Sequence, residues 1–240
     1  MINFKKLAFA GALGAFLIGA TTTAQASSYT INNEASGYIS SGGNFTGIRP
    51  NTNYLVGLCD AADCIASPGE YRNFFYFAIP TLDGAITSAS LVIPTRNTTL
   101  NQSPTLTFQL TSLGISEESL GIGNFSDLGT GTVYGSRVYS AADASTTQSI
   151  ALNAAALSAL GSGGFTFGLS GIATAPIDLD INAPDQLLFG RSQNQITQLV
   201  VTTVPVPPAL GMLLLGFAGL RFAGFRGSKK APRCQLIATN

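Results

Sequence analysis

Residues 71–79 read YRNFFYFAI, and from Phe74 onward every side chain is apolar or aromatic. A half-buried strand needs one polar face and an amphipathic helix needs a polar stripe, so a run with neither must be covered on both sides. Its aromatic content favours extended backbone, and the stretch is expected to form a central strand. The segments around it alternate. In residues 104–110, PTLTFQL, Leu106, Phe108 and Leu110 share one face while Thr105, Thr107 and Gln109 share the other. Residues 165–169, FTFGL, repeat the pattern with Phe165, Phe167 and Leu169. Period-two alternation sets one face against a core and the other toward water. Further strands are expected at 37–41, 54–58, 88–93, 132–139, 148–152, 187–189 and 196–203. Helical signal is confined to residues 153–160, with Asn153 as N-cap and Gly161 past the end, and to a single turn at 116–120, SEESL. Short strands joined by Gly-, Asn- and Ser-rich turns predict an all-β chain: a β-sandwich of jelly-roll-like form with one or two short helices.

The two ends differ from this middle. Residues 1–26 carry Lys5 and Lys6, an apolar stretch from Leu7 to Ala20, then Ala24-Gln25-Ala26. These are the three parts of a secretory signal peptide, cleaved after Ala26. An apolar stretch of 14 residues (7 to 20) falls short of the ~20 that span a bilayer as a helix. At the other end, residues 204–230 read VPVPPALGMLLLGFAGLRFAGFRGSKK. The apolar run 209–225 is 17 residues, ~26 Å as a helix against a hydrocarbon core of ~30 Å. Arg226, Lys229, Lys230 and Arg233 follow it and are expected to remain cytoplasmic, which leaves residues 27–203 outside the membrane. The leader predicts the same orientation independently. The prolines at 205, 207 and 208 keep the approach to the span extended, the form a protease pairs with. The expected division is therefore signal peptide 1–26, sandwich domain 27–203 and tail 204–240.

With the ends removed, a formal net charge of zero becomes strongly negative. All twelve acidic residues lie between Glu34 and Asp185, with only Arg49, Arg72, Arg96, Arg137 and Arg191 among them, so the domain carries 5 − 12 = −7. Phosphate backbones would repel it, which excludes nucleic acid as a partner.

The order of a short proline motif, a weak span and a basic cluster resembles the PEP-CTERM sorting signals, in particular their VPxPA-like variants. The matching residues are Val204, Pro205, Pro207 and Ala209, with Pro208 additional, then 213–220, then Arg226, Lys229 and Lys230. Val206 stands between prolines where the common motif has glutamate, and Arg221 interrupts the span. Residues 72–93 and 125–143 are also similar to domains that travel with such tails. The resemblance implies recognition by exosortase, a membrane-embedded processing enzyme of Gram-negative bacteria. It further implies an inner-membrane intermediate and final residence at the cell surface or in the extracellular matrix.

Catalytic chemistry is sparse. The chain has no histidine, so neither a Ser-His-Asp nor a Cys-His arrangement can be built, and no enzyme activity is expected. Glu117/Glu118 and Asp178/Asp180 are the obvious carboxylate pairs, the former well placed for a helix start. Asp178, Asp180 and Asn182, at every second residue, would share one side of an extended segment. That arrangement suits calcium, the one cofactor considered, although a strand with a solvated face is the favoured explanation. Residues 121–135 lack the Lys-Ser/Thr of a phosphate loop and are expected to be turns. Arg72 and Arg137 are expected to pair with carboxylates at the sandwich edge. Cys59 and Cys64 close the loop CDAADC, which in an exported protein reads as a disulfide. A carbohydrate-binding module acting on exopolysaccharide is the competing expectation. Without tryptophan its platform would have to use Tyr38, Tyr54, Tyr134 or Tyr139.

Overall fold

Twelve strands and one short α-helix organise the described part of the chain in a computed structural model. It describes residues 25–46, 53–62, 64, 67–161, 163–190, 192 and 194–205. The strands are β1 (Ser27–Asn32), β2 (Ala35–Ser40), β3 (Val56–Cys59), β4 (Gly69–Ile79), β5 (Ala85–Thr95), β6 (Thr98–Leu100), β7 (Thr105–Ser112), β8 (Val133–Ser140), β9 (Thr146–Ala151), β10 (Phe165–Thr174), β11 (Gln186–Leu188) and β12 (Gln198–Val204). The helix α1 (Ala154–Leu160) follows Asn153, whose side chain accepts from the Ala156 N–H as the N-cap. Residues Gln25–Pro205 form one compact unit. Among the described residues the fold is all-β, and every strand pair is antiparallel.

One sheet has the order β1-β12-β5-β9; the other runs β6-β11-β3-β4-β10-β7-β8, with β2 also paired to β4. The core lies between the sheets. β5 and β12 contribute Leu91, Ile93, Leu199 and Val201, which meet Phe75, Phe77, Leu106, Phe108, Phe167 and Leu169 of the larger sheet. The apolar run in the second half of β4 is buried on both faces at Phe74–Phe77, while Ala78 is exposed. Phe75 and Phe77 enter this main core, while Phe74 and Tyr76 enter a second cluster with Ala35, Ile39, Leu113, Leu120 and Leu128. The connection between β7 and β8 supplies that outer cover through 3-10 turns at Glu117–Ser119 and Ile122–Asp127.

The expected strands are all present with shifted ends, and two strands are additional. β1 was hidden because SSYTIN has only two apolar positions, and β6 because three residues give no period to read. Residues 177–185 are not extended as the alternation of Asp178, Asp180 and Asn182 suggested. They form a loop between β10 and β11.

Burial pushes the hydroxyls of Tyr54, Tyr76 and Tyr139 well above the ordinary tyrosine range. The folded state therefore holds these protons more tightly than the unfolded chain. Their contribution is fully present below the unfolded value of about 10 and is lost as pH rises toward the folded values. A cooperative alkaline transition is expected above pH ~10. In a pH titration, tyrosinate absorbance from these rings should appear together with loss of near-ultraviolet dichroism; appearance well before it would contradict their burial.

Candidate functional site

The two ends of the domain meet at one edge of the four-stranded sheet. Ser27, the first residue of β1, lies opposite Thr203 near the end of β12, and Val204 pairs with Ala85 of β5. β12 is therefore an interior strand, held between β1 and β5 up to the residue before Pro205. Gly84, at φ +92°, turns the chain into β5 where the exit passes. A Cβ there would meet the Val204 carbonyl and Pro205 Cα, so only glycine fits this close approach. The Asp83 N–H donates to the Tyr29 hydroxyl at 3.1 Å, tying the β4–β5 turn to β1. Val204 and Pro205 are the described part of the proline motif. Pro207, Pro208, Ala209, Arg226, Lys229, Lys230 and Arg233 lie outside the described residues.

The charge is unevenly placed along the strands. At the end where the chain leaves, the turns 80–84 and 161–164 carry Asp83, and the β7–β8 connection carries Glu117, Glu118 and Asp127. The opposite end holds Asp60 after β3, Glu70 in β4, Asp143 after β8, and Asp178, Asp180 and Asp185 in the loop after β10.

At that acidic end Cys59 and Cys64 are joined by a disulfide with Cα atoms 5.7 Å apart. The loop it closes is fastened to residues 177–185. The Asp60 N–H donates to Asp185 Oδ1 at 2.6 Å, and the Ala61 N–H to the Ile181 carbonyl at 3.2 Å. Gln102 holds the other side of that loop, donating to the carbonyls of Asp178 and Pro184 and accepting from the Asp178 N–H. Replacing Cys59 by serine is expected to lower stability by about 2 kcal/mol, since a loop this short leaves little chain entropy to remove. Chemical denaturation of the variant beside the reduced and oxidised wild type measures it.

Each acidic side chain in the 178–182 run serves the loop itself. Asp178 Oδ1 accepts from the Asp180 N–H at 3.0 Å, and Asp180 Oδ1 accepts from the Asn182 N–H and its side-chain amide, both at 2.9 Å. These bonds hold the exposed Asp180 carboxyl below its ordinary range. The run consists of successive side-chain-to-backbone turns, which replaces both the extended calcium ladder and the solvated strand. Among the described residues, no group of three or more carboxylates or cysteines is placed to hold a metal ion.

An open cleft of about 390 Å³ lies on the outer face of the larger sheet, lined by Tyr76, Leu113–Glu118, Thr166 and Gly168. The Tyr76 hydroxyl donates to the Ile115 carbonyl at 2.8 Å and anchors its rim. Burial raises the Glu117 carboxyl above its ordinary range, with Glu34 and Glu118 adding like charge. The 3-10 turn thus places both glutamates at the cleft.

Arg72 and Arg137 both hold carboxylates, Arg72 with Glu70 at 2.7 Å and Arg137 with Asp143 at 3.2 Å. Burial acts to raise Asp143, but hydrogen bonds from Ser140 and Arg137 outweigh it and hold the carboxyl low. Arg72 also donates to the carbonyls of Phe125 and Leu128, so it anchors the outer cover.

The tyrosines nominated for a sugar platform do not form one. Tyr54, Tyr134 and Tyr139 are buried, and Tyr38 packs edge-on against Tyr71 at 4.9 Å. Tyr134 and Tyr139, five apart, would face opposite ways on a regular strand. Leu110 lies opposite Gly135 and Thr111 opposite Val133, which makes Tyr134 the extra residue of a β-bulge. The bulge resets the alternation, and both rings enter the core. The chain matches no known family model and no curated protein.

Proposed function

We propose that this is an exported, non-enzymatic jelly-roll protein, released from a C-terminal membrane-held sorting signal and resident at the cell surface or in the extracellular matrix. The observation that carries this is the placement of the two domain ends. The first strand begins at Ser27, one residue past the expected leader cut, and the last strand stops at Val204, where the proline motif starts. The two positions lie side by side, at the end of the fold where β4 finishes and β10 begins. Only residues 205–208 separate β12 from Ala209, ~14 Å when extended. A tail inserted there holds that end toward the bilayer and sets the acidic 177–185 loop away from anionic lipid.

The jelly-roll assignment is supported by nested pairing. Taken in chain order, β1, β4, β5, β7, β8, β9, β10 and β12 pair first with last (β1 with β12), second with seventh (β4 with β10), third with sixth (β5 with β9) and fourth with fifth (β7 with β8). That nesting is a hairpin rolled into a double Greek key. β2, β3, β6 and β11 then extend one sheet beyond β4.

Intact-mass and terminal-peptide analysis of the mature protein from its own host tests the proposal. The expected product starts at Ser27 and ends within residues 205–210. Secreted protein that retains peptides from residues 213–240 would overturn it.

A further inference from the structure

We infer that β1 is a self-association edge: two released copies join β1 to β1 antiparallel about a twofold axis at Thr30, a pairing that copies held in one membrane cannot make. The membrane half of this inference rests on the proposed sorting function; the edge itself does not.

The backbone register identifies which groups are open. Asn33, just past β1, donates its N–H to the Thr197 carbonyl at 2.9 Å, and Asn32 lies opposite Gln198. Residues alternate in the direction of their backbone groups, so Ile31, Tyr29 and Ser27 bond to β12. Ser28, Thr30 and Asn32 then turn their N–H and C=O groups to the open side, and all three are exposed. Natural sheets guard such an edge with charge, proline or a bulge. SSYTIN has no charge and no proline, and its pairing with β12 is regular. The sheet's other edge is not equivalent. Asn153, after β9, donates its backbone N–H to the Tyr134 carbonyl and its side-chain amide to the Val133 carbonyl, both at 2.8 Å, which closes β9 against β8.

The occupant that fits is a second copy. Two domains of charge −7 repel, and an uncharged strand lets their backbones meet without opposing carboxylates. A twofold pairing of one edge with itself is antiparallel and isologous. Centred on Thr30, it sets Thr30 opposite its counterpart, Ser28 opposite Asn32, and on the core side Tyr29 opposite Ile31. Every open backbone group is then used, and an aromatic meets a β-branched side chain.

The same geometry makes the pairing conditional. Val204 leaves at the Ser27 end of β1. In an antiparallel pair the two exits lie at opposite ends of the joined sheet. Two tails cannot then enter one bilayer across a four-residue approach, so scission permits assembly.

Sedimentation of the mature host protein over a dilution series reads the first half. Wild type is expected to approach twice the monomer mass at high concentration. Thr30→Pro removes an open-edge N–H and leaves the β12 ladder intact; Thr30→Glu sets two carboxylates face to face. Each should weaken association about tenfold or more, with added salt restoring Thr30→Glu and the melting temperature of either variant near wild type. A wild type that stays monomeric at the highest concentration, or variants that associate like it, overturn the pairing. For the second half, uncleaved Thr30→Cys/Cys234→Ser chain in lipid vesicles is treated with a short bis-maleimide, which adds one thiol at each end, beside the released form. Cross-linking of the released form alone is expected, and equal cross-linking of both overturns the membrane condition. Retention of the tail in the host would remove the sorting function while sedimentation still decides the pairing.

Discussion

A chain ended at Gln195, before β12, will not fold, whereas one ended at Pro205 will retain the complete sheet architecture. β12 lies between β1 and β5 and contributes Leu199 and Val201, both fully buried, to the main core. Its removal strips β1 of its only strand partner among the described residues and opens the core along β5. Loss of the two side chains alone is worth roughly 3–6 kcal/mol at the usual burial values, before any backbone pairing is counted. That is comparable with the whole stability of an ordinary domain of about 5–15 kcal/mol. Circular dichroism and proteolysis of the two truncations compare them directly. A cooperative melt from the shorter chain would contradict the placement of β12, and failure of the longer chain would show that the tail belongs to the fold. The dependence also orders events: the smaller sheet cannot close until the chain through residue 204 is available to it.

Replacing Phe189 by alanine is expected to cost about 3–5 kcal/mol, the range for a large aromatic deleted from a packed core. The ring is fully buried, with centroids 5.0 Å from Phe108, 5.3 Å from Tyr139 and 5.7 Å from Tyr54. The first two contacts are edge-on, the favoured aromatic geometry. Phe189 also has φ +64°, in the left-handed region that a bulky residue avoids. The contacts of the ring stabilise the residue against that strain, and alanine would keep the strain while losing the contacts. Phe189→Leu should recover part of the loss. Denaturant midpoints of the two variants measure the effect, and a Phe189→Ala midpoint near wild type would mean the cluster is not packed as described.

The larger elements were legible where patterning alone determined burial. The doubly apolar face of β4 and the alternation in β7 are local facts that need no knowledge of the partner strand. Asn153 and Gly161 marked both ends of α1 in the same way. What escaped the sequence depended on tertiary context. β1 is a strand because β12 is beside it, not because SSYTIN insists on extension. The burial of Tyr134 and Tyr139 required a one-residue bulge opposite Leu110 and Thr111, which no period announces. The 178–182 run looked alternating, but short acidic side chains satisfied the backbone two residues onward and curled it. The pairing of Cys59 with Cys64 was plain in the sequence. The cleft at Glu117 and Glu118 was not, because its floor comes from β4 and β10 and its rim from the β7–β8 connection.

Because Ser27 and Thr203 are neighbours across a ladder, the domain is almost a closed ring. A few glycines and serines joining Pro205 to Gln25 would complete the circuit, and new ends could be opened at Gly114, where an added methyl group meets nothing within 4 Å. Such a permuted chain would place the old ends in mid-sequence, and a cargo fused at Gly114 would ride on the outer face of the larger sheet, beside the cleft.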